Sequence, residues 1–133
     1  MTPSQKNADL LEKFAENAVE WGEREFRPVF PDLVDHLIQD IYGFAYRRGG
    51  IEIGVRHLIS LGILAAMGDC TNQLRFQLRA GLNLGLTEEQ IKEVFIQVAV
   101  FAGNARAVNA AQIFNDVLKV RVEEFNQSNV VKQ

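Results

Sequence analysis

The sequence predicts an all-α fold, a compact bundle of about six helices. Three observations carry that expectation. Apolar residues recur at three and four residue spacings in successive segments, a capping box opens one of them, and no stretch alternates apolar and polar residues between hairpin turns.

The first expected helix, Ser4 to about Phe26, places Leu10, Leu11, Phe14, Ala15, Ala18 and Val19 on one stripe. Pro28 and Pro31 end it, and Pro31 suits the first turn of the next helix because an amide there would have no helical acceptor. That second helix, Asp32 to Arg47, carries Leu33, Val34, Leu37, Ile38, Ile41, Tyr42 and Ala45, and Gly49 with Gly50 marks the following turn. A third begins near Glu52. Its residues Ile53, Val55, Leu58, Ile59, Leu61, Ile63, Leu64 and Ala65 surround the axis, which predicts a central helix enclosed by neighbours.

Gly68 and Asp69 separate it from a fourth helix, Thr71 to Leu84, with Gly85 placed for a left-handed cap. Thr87 and Gln90 form the capping box of the fifth, whose face is Ile91, Val94, Phe95, Val98 and Ala102, ending at Gly103. The sixth starts near Arg106, with Val108, Ala111, Ile113, Phe114, Val117, Leu118 and Val122 apolar. One domain, 1–133, is expected, with 1–30 an N-terminal helical extension and 127–133 a frayed tail. Small residues such as Ala107, Ala110 and Ala111 suit close packing between subunits.

Composition narrows the function classes. Hydrophobic residues at 47% can fill a core, while a net charge of −3 without a basic run argues against nucleic acid as a partner. The longest largely apolar stretch, Leu58 to Met67, is about half of what a membrane span needs, so no membrane partner is expected. The polar start, Met1 to Glu12, lacks the apolar region of a secretory signal, and a cytoplasmic location is the default expectation. Cys70 is the single cysteine, which excludes an intramolecular disulfide. The two histidines lack a partner cluster at ligand spacing, so no metal is expected, and no cofactor is either.

The stretch Gly49 to Ala110 resembles the carboxymuconolactone decarboxylase family of the alkylhydroperoxidase D-like superfamily. The most specific parts are Leu74 to Thr87, similar to the family's "L..H...AL..G.T" run, and Glu89 to Gly103, similar to "EEI.EV...A.Y.G" with Gln90 and Phe101 as variants. The resemblance implies an all-helical fold, assembly as a homotrimer or homohexamer, and pockets near subunit contacts. In the peroxidase branch the fourth helix opens with C-x-x-C-x-x-x-H, and this chain offers Cys70, Gln73 and Gln77 there. Two-cysteine peroxide reduction is therefore not expected. The glutamate preceding that motif corresponds to His57 or Leu58, and Gln77 stands where the decarboxylase branch has its acid or base histidine. An amide cannot exchange a proton in that role.

The expected catalytic residues are accordingly His57, Gln77 through a water that it holds, and Cys70. Arg56 matches a family arginine whose fork could hold a carboxylate, and Gln73, Tyr46 and Phe101 are the other expected substrate contacts. Each has a plainer alternative. Gln77 could be an amide bonded to a neighbouring helix, Cys70 a small core residue, Arg56 a structural cation, His57 a structural imidazole, and the aromatics core filling. Three functions follow: decarboxylase-like acid/base chemistry on a small organic acid or lactone, a non-catalytic oligomeric ligand-binding or interaction protein, and single-thiol peroxide reduction.

Overall fold

A computed structural model describes residues 1–132, with side chains through Asn129; Gln133, the end of the tail expected to fray, lies outside the described residues. Among the described residues there are eight α-helices, one π-helical segment and no strand. The helices are α1 (Pro3–Lys6), α2 (Ala8–Phe14), α3 (Ala18–Glu25), α4 (Pro31–Ile38), α5 (Ile53–Met67), α6 (Thr71–Asn83), α7 (Glu88–Ala102) and α8 (Asn104–Lys132). The π segment, Gln39–Ala45, continues α4.

The all-α expectation holds, and the count of six is corrected at the amino terminus. The expected helix Ser4 to Phe26 is three. A capping box of Thr2 and Gln5 opens α1, Asn7 separates it from α2, and Ala15 and Asn17 break α2 from α3. Asn17 is left-handed (φ 63°), a conformation that asparagine tolerates better than most residues, and its amide donates to the Glu12 carboxylate at 2.7 Å. The Thr2-Pro3-Ser4-Gln5 run is a sequence signal for that first start.

Further along the chain the helix starts agree closely with expectation. Pro31 occupies the first turn of α4, Gly50, Gly85 and Gly103 all have positive φ, and Thr87 and Gln90 close their capping box at 3.0 and 3.1 Å. α8 starts at Asn104 and runs on as helix to Lys132, through the stretch expected to fray.

The main core is built by α5 to α8 from Leu61, Ala65, Leu74, Leu78, Leu86, Ile91, Phe95, Val98, Ala107, Ala110, Phe114 and Val117. A second cluster joins α2, α4 and the π segment to α6 through Leu10, Leu11, Phe14, Val34, Ile38, Tyr42 and Ala80. α6 thus serves both clusters. Burial of such side chains stabilises by roughly 1.5–3 kcal/mol each before the entropy of ordering them is subtracted.

Two packing expectations are corrected within the single chain. α5 buries only His57, Leu61 and Ala65, while Val55, Ile59, Ile63 and Met67 stay 47–62% exposed along its opposite side. It is enclosed on one face only. Ala107 and Ala110 are used inside the chain rather than between copies, whereas Ala111 is exposed.

Candidate active site

The chemistry-bearing side chains gather where the two clusters meet. Tyr42 lies in the π segment and Tyr46 caps it, with the Tyr46 amide bonded to Ile41 O at 2.9 Å, the five-residue spacing of a π turn. Such turns are uncommon and frequent at functional sites. The rings of Tyr42 and Tyr46 stack 6.0 Å apart, and Phe14 of α2 presents its edge or face to Tyr42, Tyr46 and His57 at 4.9, 4.9 and 5.4 Å. The phenylalanine is wholly buried, so it shields its side of the cluster from water.

His57 of α5 is wholly buried, and both ring nitrogens are engaged. Nε2 lies 2.6 Å from the backbone carbonyl of Gln77, and Nδ1 lies 2.8 Å from the Tyr46 hydroxyl. A carbonyl can only accept, so Nε2 carries the proton. Burial lowers the imidazole's pKa, against a smaller opposing effect of the Gln77 carbonyl, so the ring is held neutral. Nδ1 then has only a lone pair, and Tyr46 must donate to it.

The Tyr46 oxygen in turn accepts from Ser60 Oγ at 2.8 Å, one turn along α5 from Arg56. The serine's alternative acceptor, the Arg56 carbonyl at 3.2 Å, is the longer contact. Tyr46's pKa is raised by burial, with the Ser60 hydrogen bond and the Arg56 charge working in the opposite direction. Its hydroxyl therefore keeps its proton at neutral pH. Close packing preserves this arrangement: a Cβ on Gly81 would sit 3.2 Å from His57 Cδ2 and 3.3 Å from Leu86, tighter than most contacts of that kind.

Arg56 is half-buried beside this group, and its Nη2 donates to Gly49 O at 3.3 Å. Among the described residues it has no carboxylate within salt-bridge distance. A half-buried guanidinium without an anion is a place for one. Gln77 sits at the other end of the tyrosine pair. Its Oε1 is buried and, among the described residues, has no hydrogen-bond partner. The amide is near enough to Tyr42 to oppose the rise that burial imposes on that phenol, which still reaches about 12, yet it makes no well-formed bond with the hydroxyl.

The remaining expected residues lie elsewhere. Gln73 is exposed on α6, and Phe101 is at 83% exposure near the end of α7. Cys70 is half-buried at the start of α6, where its thiol donates to Leu64 O at 3.2 Å. It lines a cavity of about 260 Å³ between the α5–α6 turn and α8, to which Arg56, His57 and Gln77 do not contribute. Arg56 and Gln77 therefore approach one cluster from two ends without sharing that hollow.

Three members of the cluster were not among the expected site residues. Ser60 stood out only as a polar break in an apolar run, and Tyr42 and Phe14 read as ordinary stripe positions. The one available signal was spacing, since Ser60 follows Arg56 and His57 by four and three residues and so shares their side of α5.

Comparison with known proteins agrees with the fold. Residues 32–116 match the carboxymuconolactone decarboxylase family, which is well over half of the chain. A protein of Acinetobacter baylyi called 4-carboxymuconolactone decarboxylase is 29% identical over 100 residues, covering 72% of this chain and 73% of that one. An uncharacterized 15.0 kDa protein encoded in the nqo9-nqo10 intergenic region of Paracoccus denitrificans is 23% identical over 121 residues, 90% of each chain. With the matched region spanning the π segment and most of the main core, this chain belongs to the carboxymuconolactone decarboxylase family, alkylhydroperoxidase D-like.

Proposed function

We propose that this protein is a decarboxylase-like enzyme that transfers a proton to a small organic acid or lactone, with Tyr46 as the acid and Arg56 as the anion anchor. The observation that carries the reading is the Tyr46 hydroxyl, held at 2.8 Å by both His57 Nδ1 and Ser60 Oγ beside an arginine lacking a carboxylate partner among the described residues. His57 is buried with both nitrogens occupied, so it acts as a positioning residue behind Tyr46 rather than as the group that meets substrate.

In the proposed step the carbon–carbon bond to the departing carboxylate breaks and carbon dioxide leaves. The electron pair remains on the substrate carbon, delocalised towards its carbonyl. For the transfer the Tyr46 hydroxyl releases its hydrogen bond to His57 Nδ1 and turns its proton to that carbon, the O–H bond breaks, and a new carbon–hydrogen bond forms. The phenolate is stabilised by the Ser60 hydroxyl and the Arg56 charge until solvent returns a proton. Gln77, which cannot titrate, supplies a buried acceptor for a water or a substrate hydroxyl.

The relative's name makes 4-carboxymuconolactone the first substrate to test. Turnover is expected, and Tyr46→Phe should lower kcat by about 10²–10⁴-fold with the fold intact, the usual worth of a general acid. Arg56→Ala should mainly raise KM. Absence of turnover across small lactone acids, or full activity in Tyr46→Phe, would overturn the reading.

A second reading is a non-catalytic ligand-binding or interaction protein on the same scaffold. It is favoured by Gln77 standing where the family's titratable histidine is expected, and a ligand retained without conversion would support it. Single-thiol peroxide reduction predicts a sulfenic acid at Cys70 after peroxide treatment. Against that reading, the thiol is engaged with the backbone, donating to Leu64 O.

Self-association belongs to the same proposal. The exposed row Val55, Ile59, Ile63 and Met67 repeats every four residues along α5, and Ile96, Val100 and Phe101 add exposed apolar surface on α7. Contacts over that row, repeated from copy to copy around a closed ring, would give a homotrimer or homohexamer of the kind that the family resemblance implies.

A further inference from the structure

We propose that the cavity between the α5–α6 turn and the start of α8 is a second small-molecule site, selective for a compact carboxylate with an apolar body and anchored by Arg106. This inference is independent of the Tyr46 reading. The cavity, about 260 Å³, is smaller than most drug-sized pockets, so its occupant is about the size of a single ring or a short branched chain. Its wall divides by chemistry. Leu64, Ala65, Leu74, Ala110 and Ile113 form an apolar side, while Arg106, Asn109 and Gln112 project from successive turns of α8.

Arg106 is exposed but anchored. Its Nη1 donates to Met67 O at 2.5 Å, and the guanidinium lies over Gly68, where any Cβ would collide with it. Gly68 thus provides a seat for the arginine as well as a positive-φ turn (φ 70°). One edge of the fork is spent on the backbone, and among the described residues no carboxylate lies within salt-bridge distance of the rest. Asn109 and Gln112 make no side-chain hydrogen bonds among the described residues, which leaves donors free beside the cation. A carboxylate accepts a forked guanidinium bond together with such amide donors, while an apolar body covers the leucine and alanine side.

Asp69 also lines the cavity, and its carboxylate opposes an anion. It is exposed to water, which screens it, and its left-handed backbone (φ 55°) is one that asparagine adopts readily. Asp69→Asn is therefore a clean way to read the sign of the site.

The test is titration of the full chain with benzoate, and with benzamide as its neutral counterpart, followed by two-dimensional ¹H–¹⁵N NMR. Saturable shifts at the amides of Thr71, Ala110 and Ile113 are expected for benzoate and not for benzamide. Arg106→Gln should weaken binding about tenfold or more, Arg106→Lys should lie between, and Asp69→Asn should tighten it. Arg56→Ala should leave these shifts unchanged. Equal binding of benzamide, undiminished binding in Arg106→Gln, or no saturable shift at millimolar benzoate would overturn the proposal. So would shifts centred on Tyr46 and His57 that vanish in Arg56→Ala, a result that would leave the reading of Tyr46 standing.

Discussion

His57 owes its state to three neighbours. The Gln77 carbonyl fixes the proton on Nε2, Tyr46 satisfies Nδ1, and Phe14 excludes water, so a neutral ring is buried at little cost. The same burial couples folding to pH. Because the folded pKa is lowered, the unfolded chain binds the proton more readily, and this contribution to stability is complete above the unfolded pKa of about 6.5. It is lost progressively as pH falls from there towards the folded value. Thermal unfolding followed between neutral and mildly acidic pH should show a declining midpoint, and His57→Gln should flatten that slope while lowering stability at neutral pH. An unchanged slope in the variant would show that His57 is not the group responsible.

At this scale the sequence was partly legible. Tyr46, His57, Arg56 and Gln77 could be singled out because titratable or polar groups are costly on apolar helices. Their partners could not. Gln77 contributes through its backbone carbonyl, which every residue possesses, and Ser60 is a common residue whose role arises only when Tyr46 arrives from another element.

Among the elements, starts were more readable than breaks. The Thr87–Gln90 box is a local arrangement that satisfies two amides, and it stands in the structure as read. Replacing Thr87 with alanine should destabilise the chain by about 1 kcal/mol, seen as a lower urea midpoint at constant m-value. No change would mean that the cap contributes nothing to the folded state. The breaks within 4–26 depend instead on the Glu12 carboxylate meeting the amides around Asn17, a contact that apolar spacing does not register. The π segment was hidden for a related reason. A 3.6-residue period carries the stripe smoothly through Gln39–Ala45, whereas the chain widens there and sets Tyr42 beside Tyr46, with the Gln39 amide packed against Gly43.

For the whole molecule, the all-round apolar character of α5 was visible, but one chain covers only one side of it. Helices α6 to α8 bury Leu61 and Ala65, and the Val55–Ile59–Ile63–Met67 row is left to solvent in the single chain. Exposed apolar rows of this length mark contact surfaces in soluble proteins. Light scattering should accordingly find a multiple of the chain mass, and Ile59→Glu with Ile63→Glu should shift it towards the monomer while helicity is retained. A monomeric wild type would remove the self-association proposal.

The assignment of Tyr46 as a proton donor held by a neutral imidazole is tested most directly by the ¹⁵N chemical shifts of the His57 ring near pH 7. A protonated Nε2 and an unprotonated, hydrogen-bonded Nδ1 are expected, with the Nδ1 resonance moving when Tyr46 becomes phenylalanine. A ring protonated on both nitrogens, or on Nδ1 alone, would contradict the assignment.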